Sequence, residues 1–432
     1  MLVSENLSVG KNGHLNIGGV DTVEIAKEYG TPVYVMDEDL IRKNCRDFRE
    51  SIEKFYGGKG LVCYASKAFA CKEMYRVVES EGCGTDVVSG GEIYTAVKAG
   101  VSPEKLVFHG NNKTDEEIAM ALEYNIGRIV VDNIYELKKI DTLAKSQNKT
   151  ANIMLRIKPG IDAHTHNFIK TGQIDSKFGF ALETGEAFEA VKLAITHPNL
   201  NLRGLHCHIG SQILETEPFC AAAEVMIGFI AKIKNELGHE IDDLNLGGGF
   251  GICYTEADDP KPYASFMEAV SKVVHSKCEE LGVKLPFILI EPGRSIAGPA
   301  GITLYTVGAK KVIPNIRTYV SIDGGMCDNP RYILYQSEYD ALVANKADKP
   351  KDTKVTIAGK CCESGDLIGE NMPLQDVEAG DIIAVCATGA YNYSMSSNYN
   401  RLQKPPVVFV KDGKTRVVVK RETLDDLIRN DI

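Results

Sequence analysis

Lys67 is the first residue whose position suggests covalent chemistry. It stands in the segment Tyr-Ala-Ser-Lys-Ala (64–68), directly after an apolar run that predicts a β-strand. A lysine amine that is partly shielded from water is suited to form a Schiff base with a carbonyl compound. A lone loop lysine is usually a solvated charge, so its neighbours in the fold decide between the two interpretations.

A run of glycines at 247–251, Gly-Gly-Gly-Phe-Gly, offers a place for a phosphate group. Consecutive glycines allow backbone N–H groups to gather around an anion without clashes from Cβ atoms. An ordinary turn is the alternative interpretation of this run.

Two further segments add acidic and aromatic groups. Glu291 opens the segment Glu-Pro-Gly-Arg (291–294), and its carboxylate can pair with a protonated pyridine nitrogen or form a plain surface ion pair. His208 can stack on a flat ring, and Ser211 can bind a phosphate. His206 and His208 would also suit a metal ion, but no third ligand stands at a useful spacing, so we expect no metal site.

The elements that must position these residues are visible as short apolar runs separated by helical patterns. The predicted strands are Gly60–Ser66, Cys83–Ser89, Leu106–Gly110, Arg128–Asp132, Ile153–Lys158, Leu202–Ile209, Asp243–Leu246 and Phe287–Ile290. Eight such β-then-α units predict a parallel (β/α)8 barrel of the TIM type, with a doubly wound sheet as the alternative. Barrel active sites lie at the C-terminal ends of the strands, so Lys67, the glycine run and Glu291 would share one rim.

Two helix starts carry the pattern of a capping box. Ser89 precedes Glu92 by three residues, and Gly100 is placed to end that helix. Thr114 and Glu117 repeat the same spacing before a second helical run.

After Arg294 the sequence predicts a separate antiparallel β domain, a sandwich or a barrel. Its predicted strands are Ile302–Val307, Thr318–Ile322, Val355–Ala358, Ile382–Ala387 and Val407–Val410, and helical periodicity returns at Thr423–Arg429. The first residues also look β-like, with Asn12-Gly13 as a turn. We therefore predict a barrel domain at 33–290 and a β domain built from 1–32 plus 291–432.

Composition excludes several classes of partner. The 432 residues carry a net charge of −10, which argues against nucleic acid and anionic membranes as partners. The first residues lack the basic start and apolar run of a signal peptide. The 12 cysteines are scattered without a Cys-x-x-Cys pair, which favours free thiols and a cytoplasmic location.

Four ordered motifs resemble the fold-type III pyridoxal-phosphate (PLP) decarboxylases, whose barrel is similar to that of alanine racemase. They are Tyr-Ala-Ser-Lys-Ala (64–68), His-Ile-Gly-Ser-Gln (208–212), the glycine run (247–251) and Glu-Pro-Gly-Arg (291–294). Within that group, the segments 328–335, 362–366 and 388–391 resemble the diaminopimelate decarboxylase family. The resemblance covers nearly the whole chain.

The resemblance implies how PLP would be bound. Lys67 would bind the cofactor covalently, Glu291 would contact its ring nitrogen, and His208 would cover one face of the ring. The residues expected around the phosphate are Ser211, Gly248, Gly249 and Tyr391, with Pro292, Gly293 and Arg294 in the neighbouring turn.

The same resemblance implies the reaction, in which meso-diaminopimelate loses carbon dioxide and becomes L-lysine. Cys362 would protonate the carbon that loses carbon dioxide. The substrate's far end would be bound by Arg294, Arg331, Tyr335, Glu363 and Tyr391. The family usually has proline directly after the arginine at this point; Tyr332 stands there instead, which puts the local turn in question.

The charges expected in the far pocket favour this substrate over its rivals. Arg294 and Arg331 suit a distal carboxylate through forked hydrogen bonds, and Glu363 suits a distal ammonium. An ornithine, arginine or carboxylated-polyamine decarboxylase of the same fold is one alternative. A racemase or a non-catalytic PLP carrier is an alternative of another functional class. Glu291 favours a decarboxylase over a racemase, since a carboxylate keeps the ring nitrogen protonated.

Cys362 differs from the other cysteines because polar residues follow it, although its neighbour Cys361 is an alternative donor. A thiol with a pKa of ~8.5 can donate a proton near neutral pH. In the family the corresponding loop reaches the partner's active site, so the resemblance implies a homodimer with shared active sites.

Overall fold

This computed structural model describes residues 2–161 and 176–432. The chain divides into two compact units. The barrel unit comprises Asn44–Gly251 and Pro260–Gly293, and the sheet unit comprises Met1–Lys43, Ile252–Asp259 and Arg294–Ile432.

The barrel unit is built on eight parallel strands. They are Gly60–Ala65, Gly84–Val87, Leu106–Phe108, Arg128–Val131, Ala151–Lys158, Leu200–Cys207, Asp243–Asn245 and Phe287–Ile290. Each strand pairs with the next, and the eighth pairs with the first, where Ile290 lies opposite Val62. The predicted barrel is confirmed, and the doubly wound alternative is wrong because the sheet closes on itself. A short strand, Phe180–Ala181, also pairs with the fifth barrel strand.

Helices follow the barrel strands, as the periodicity predicts. The helices after the first seven strands are Lys72–Ser80, Gly90–Ala99, Asp115–Glu123, Ile134–Ser146, Glu186–Thr196, Glu217–Leu237 and Tyr263–Glu280. One further helix, Glu38–Tyr56, precedes the first barrel strand. The capping box at Thr114 is confirmed, with both reciprocal hydrogen bonds present. At Ser89 the prediction is half right. Its side chain accepts from the Glu92 N–H, but the Glu92 carboxylate accepts from the N–H of Val88.

The barrel interior is filled by apolar side chains from several strands. Cys63, Val107, Val130, Met154 and Leu289 form one buried cluster. The barrel is therefore a packed core, and polar chemistry is confined to the ends of its strands.

The sheet unit contains the N-terminal residues and most of the chain after Arg294. Its strands are Leu7–Val9, Leu15–Ile17, Val20–Asp21, Val33–Asp37, Gly301–Ile313, Arg317–Ile322, Ala341–Val343, Thr353–Ala358, Leu367–Leu374, Ile382–Val385, Val407–Lys411 and Lys414–Val419. Its helices are Thr22–Tyr29, Arg294–Ala297, Arg331–Tyr335 and Leu424–Ile428. The five strands predicted after Arg294 are confirmed, with shifted ends.

Two strand pairs in the sheet unit are parallel, which differs from the expected antiparallel domain. Arg317–Ile322 pairs with Thr353–Ala358, and Val33–Asp37 pairs with Val407–Lys411. Parallel neighbours need a long crossover, and the residues between 322 and 353 supply one. The remaining pairs between named strands of this unit are antiparallel.

The division between the units differs from the predicted boundary at residue 33. Val33–Asp37 lies inside the sheet unit, because it pairs with Gly301–Ile313 as well as with Val407–Lys411. Ile252–Asp259 also belongs to the sheet unit although it lies between two barrel strands in sequence. Within the described residues, the helices are all too short or too polar to cross a membrane.

Candidate active site

Lys67 lies on a single 3-10 turn, Ser66–Ala68, at the C-terminal end of the first barrel strand. The turn is fixed by Ser66, whose hydroxyl donates to the backbone oxygen of Asp86 at 2.7 Å and lies 2.7 Å from the Glu92 carboxylate. Lys67 itself is exposed, and its charge acts on Asp86, Glu92 and His208. The backbone is therefore anchored while the amine remains accessible.

Glu291 lies directly after the eighth strand, nearly buried among nitrogen donors. Nε2 of His109 lies 2.6 Å from Oε1, and Nε2 of His206 lies 3.2 Å from Oε2. The Asn245 amide donates to Oε1 at 2.5 Å. Burial alone would raise the pKa of Glu291, but the two histidines and their hydrogen bonds hold it well below its ordinary value. Glu291 is therefore an ionised carboxylate in a nearly dry site.

The glycine run packs directly against the backbone of Glu291. A Cβ atom on Gly248 would lie 2.0 Å from the Glu291 backbone oxygen, and one on Gly249 would lie 2.4 Å from the oxygen of Gly210. Gly249 also has a φ of 113°, a conformation that side chains disfavour. Phe250 anchors the end of the run, with its ring centroid 5.0 Å from that of Phe219. Only glycine fits this cradle.

The remaining predicted residues of the barrel unit surround the same rim. His208 accepts a hydrogen bond from the Gly248 N–H at 3.3 Å through Nδ1, and burial lowers its pKa well below the ordinary value. His208 is therefore a neutral ring. Ser211 is half-buried in the loop whose Ile213 N–H donates to the Gly249 oxygen at 2.9 Å. The Pro292 oxygen accepts from Ala65, next to the lysine turn, at 3.2 Å.

Gly293 brings the last barrel segment close to the lysine turn. A Cβ atom on Gly293 would lie 2.8 Å from that of Ala65. The lysine turn, the glycine run and Glu291 therefore lie at one rim, as the strand order predicts. An exposed amine, a side-chain-free cradle, a neutral imidazole and an ionised carboxylate fit the aldehyde, phosphate and ring of PLP.

In the sheet unit, two buried arginines share one aromatic ring. The guanidinium carbon of Arg294 lies 4.7 Å from the ring centroid of Tyr391, and that of Arg331 lies 5.1 Å from the same centroid. Arg331 also lies 5.4 Å from the ring centroid of Tyr335 and donates to the Ser337 hydroxyl at 3.2 Å. Within residues 2–161 and 176–432, no carboxylate pairs with Arg331.

The loop that carries Cys362 is held by a buried carboxylate. Asp366 accepts hydrogen bonds from the N–H of Met326 at 2.6 Å and of Cys361 at 2.7 Å. Cys362 and Glu363 are exposed on this loop, whereas Cys361 is buried. Burial raises the pKa of the Cys361 thiol to about 11, so Cys362 is the more accessible proton donor of the two.

Tyr332, which replaces the usual proline, leaves the local turn intact. Its hydroxyl donates to Glu370 at 2.8 Å, and the short helix Arg331–Tyr335 forms around it. The spacing that places Arg331 beside Tyr335 is therefore kept.

The pyridoxal-binding domain of the pyridoxal-dependent decarboxylases matches residues 38–298 of the chain. The chain belongs to this family. The diaminopimelate decarboxylase of Halalkalibacterium halodurans is 50% identical over 424 residues, which span 98% of this chain and 96% of that protein. That of Bacillus subtilis is 48% identical over 422 residues, with the same two coverages.

A solved structure gives the same result at the level of the fold. The crystal structure of diaminopimelate decarboxylase from M. jannaschii in complex with L-lysine matches with a TM-score of 0.92 and 38% identity, covering 100% of this chain and 99% of that one. The resemblance found in the sequence motifs is thereby confirmed, and PLP is the cofactor of this family.

Sequence reasoning missed four polar residues at the same rim. Asp86, His109, Arg156 and Asn245 each lie among the last three residues of a different barrel strand or directly after it. The sequence signal that could have identified them was a polar residue close to the C-terminal end of an apolar strand. Burial raises the pKa of Asp86 to about 6, and its Oδ1 atom has no hydrogen-bond partner.

His206 and His208, the pair considered for a metal ion, contact different groups, and Nδ1 of His208 accepts a hydrogen bond from the Gly248 N–H. His206 instead joins His109 and Glu291, whose ligand-type atoms all lie within 4.8 Å of one another. Because a carboxylate only accepts hydrogen bonds, each Nε2 that contacts Glu291 must carry a hydrogen and has no lone pair for a metal. The expectation of no metal site stays a prediction.

Proposed function

We infer that the chain catalyses the PLP-dependent decarboxylation of meso-diaminopimelate to L-lysine, with release of carbon dioxide. The observation that carries this inference is the 50% identity, over 98% of the chain, to a protein named diaminopimelate decarboxylase. The lysine complex of the M. jannaschii enzyme supports lysine as the product. Formation of lysine completes the synthesis of this amino acid.

We propose that the barrel rim holds the cofactor. Lys67 would bind its aldehyde carbon, Glu291 would accept the ring N–H, and His208 would lie against one face of the ring. The phosphate would lie on the glycine run, contacted by Gly248, Gly249, Ser211 and Tyr391 beside the turn Pro292–Arg294. When bound, PLP accepts the electron pair that decarboxylation leaves on Cα.

Glu291 favours decarboxylation over racemisation. A carboxylate kept ionised by His109 and His206 stabilises a protonated ring nitrogen, which keeps the ring a strong electron acceptor. Amino-acid side chains cannot take up the electron pair that decarboxylation leaves on Cα, so this step depends on the cofactor ring.

We propose that the arginine cluster of the sheet unit binds the far end of the substrate. Arg331 is buried and has no carboxylate partner in the described chain, which suits a ligand carboxylate. Arg294, Tyr335 and Tyr391 would assist it, and Glu363 would bind the distal ammonium. A carboxylate and an ammonium at one end distinguish diaminopimelate from ornithine, which carries only the ammonium.

Cys362 is proposed as the proton donor, and the active sites as shared within a cytoplasmic homodimer. All 12 cysteines are unpaired, which agrees with a reducing compartment. The exposure of Cys362 and Glu363 leaves both free to reach a partner's site. Mixing Lys67→Ala chains with Cys362→Ala chains tests the dimer, since shared sites would restore activity in mixed dimers.

Lys67→Ala tests the core of the proposal. The variant should lose the visible absorption of the lysine-bound cofactor and its covalent trapping by borohydride, and it should release no carbon dioxide from diaminopimelate. Lys72→Ala is the matched control, because Lys72 is exposed at the start of the next helix. A trapped cofactor in Lys67→Ala would place the bond on another lysine.

The substrate is tested by offering the unaltered protein diaminopimelate, ornithine, arginine and carboxylated polyamines in parallel. Carbon dioxide from ornithine but not from diaminopimelate would contradict the proposed specificity. Loss of optical activity without gas would indicate a racemase instead.

A further inference from the structure

We propose that His109 and His206 are positioning residues, which together with Asn245 hold the Glu291 carboxylate in one orientation toward the cofactor's ring nitrogen. The inference rests on the proposed function of Glu291. His206 lies in the sixth strand, Asn245 ends the seventh and His109 directly follows the third, and all three converge on the residue after the eighth. Neither histidine touches the reaction directly in this scheme.

The contacts fix where the hydrogens lie. Nε2 of His109 and Nε2 of His206 each contact a Glu291 oxygen, at 2.6 and 3.2 Å, and a carboxylate can only accept. Both Nε2 atoms therefore carry hydrogens. Nδ1 of His206 is buried without a partner, so a hydrogen there would be an unsatisfied donor. His206 is thus neutral, in agreement with the burial that lowers its pKa to about 4.

The Glu291 carboxylate keeps one hydrogen-bond acceptor position for a ligand. A carboxylate offers about four acceptor positions, two on each oxygen. Among the described residues, Oε1 of Glu291 receives hydrogen bonds from His109 and Asn245, and Oε2 receives one from His206. Within the described part of the chain one acceptor position on Oε2 therefore remains, and the ring N–H would occupy it.

Asn245 connects this network to the glycine run. Its Oδ1 accepts the N–H of Gly247 at 2.9 Å while its Nδ2 donates to Glu291. The phosphate cradle and the carboxylate are therefore held at a fixed separation by one side chain. The two histidine rings also contact each other edge to face, with centroids 4.7 Å apart.

A second carboxylate stands close enough to compete for His109. Asp86 Oδ1 lies 4.0 Å from His109 Nε2 and has no hydrogen-bond partner. If His109 turned toward Asp86, Glu291 would lose its 2.6 Å donor. The edge-to-face contact with His206 supports the ring in its present orientation.

The test compares two amides that differ only in reach. Glutamine places its Nε2 near the position of a histidine Nε2, whereas asparagine ends one bond earlier. We expect His206→Gln and His109→Gln to keep turnover and PLP affinity within about threefold of the unaltered protein. The corresponding Asn variants should lose kcat by ~10-fold or more and bind PLP more weakly, with KM changed less than kcat.

His239→Asn is the matched control, since the His239 ring contacts the Leu202 backbone oxygen at 3.0 Å elsewhere in the barrel unit. Thermal unfolding of each apo variant checks that it folds, and equilibrium dialysis measures PLP affinity independently of turnover. Equal behaviour of the Gln and Asn variants would overturn the proposal. If the unaltered protein formed no lysine, the proposed function would fail, while the dialysis comparison would still decide the role of the histidines.

Discussion

Each of the two units buries a carboxylate, and the two carboxylates have opposite shifts in pKa. Glu291 in the barrel unit is held well below its ordinary pKa by His109 and His206. Burial raises the pKa of Asp328 in the sheet unit to about 7, and hydrogen bonds from a phenol, a thiol and one backbone N–H lower that pKa too little to offset the burial. Burial is nearly equal at the two sites. The partners therefore decide which carboxylate is charged at neutral pH.

The buried cations differ in the same way. Lys113 in the barrel unit is neutralised by Glu136 at 2.8 Å and also donates to two backbone oxygens. Arg331 in the sheet unit has aromatic rings and a hydroxyl as partners but, in the described part of the chain, no carboxylate. A buried cation without a counter-ion is costly, and this cost is what the proposed binding of a substrate carboxylate to Arg331 would offset.

Glu291→Gln removes the charged carboxylate of the barrel unit, and it should have the largest effect among the variants that test this comparison. The amide would present N–H groups to donors that now meet a carboxylate, and it would remove the charge opposite the ring nitrogen. We expect kcat to fall by ~10²- to 10³-fold. Steady-state release of carbon dioxide from diaminopimelate measures the effect, and a rate within threefold of the unaltered protein would remove Glu291 from the mechanism.

Cys362→Ala should lower turnover by ~10²-fold while PLP binding persists, as expected for a lost general acid. Cys361→Ala is the control, because Cys361 is buried and its thiol has a pKa raised to about 11. The Cys361→Ala variant should keep the turnover rate of the unaltered protein. A larger loss from Cys361→Ala than from Cys362→Ala would exchange the roles of the two thiols.

Arg331→Met sharpens the comparison between the two buried cations. Removing a cation that binds a ligand carboxylate costs roughly 2–5 kcal/mol, so KM for diaminopimelate should rise by about 30-fold or more. Arg317→Met is the control, since Arg317 forms an accessible ion pair with Glu370. An unchanged KM in Arg331→Met would give this arginine a structural role only.

Asp328→Asn tests the carboxylate of the sheet unit. Because its folded pKa of about 7 exceeds the ordinary value of 3.8, the unfolded state releases the proton first as pH rises. Asp328 should therefore lower the stability of the fold between pH ~4 and ~7, by up to about 1.4 kcal/mol per pH unit. Urea unfolding across this range should show a shallower decline in Asp328→Asn, whereas the exposed control Asp376→Asn should keep the original slope.

The sequence predicted the barrel because its strands are apolar on both faces and short enough to recognise individually. It predicted the positions of Lys67 and Glu291 because both directly follow such strands. Their partners were not predicted, since His109 and Asn245 meet Glu291 only after strands distant in sequence are arranged around the barrel.

In the sheet unit, pairing was harder to predict than strand position. The partner of Val33–Asp37 lies more than 260 residues away in sequence, and no local pattern encodes that register. The choice between Cys361 and Cys362 also depended on burial, which two adjacent identical residues cannot reveal. Strand positions, which local periodicity sets, could be predicted from the sequence. Strand pairing and burial, which depend on long-range packing, could not.

The turn under Lys67 limits how that residue can move. Ser66 ties it to the backbone of the second strand and to Glu92 in the helix that follows that strand. Any travel of the amine must therefore come from rotation about the bonds of its own side chain. A side chain that moves on an anchored backbone suits the role proposed for Lys67, because the amine could release a bound cofactor and return to it without any shift of the barrel.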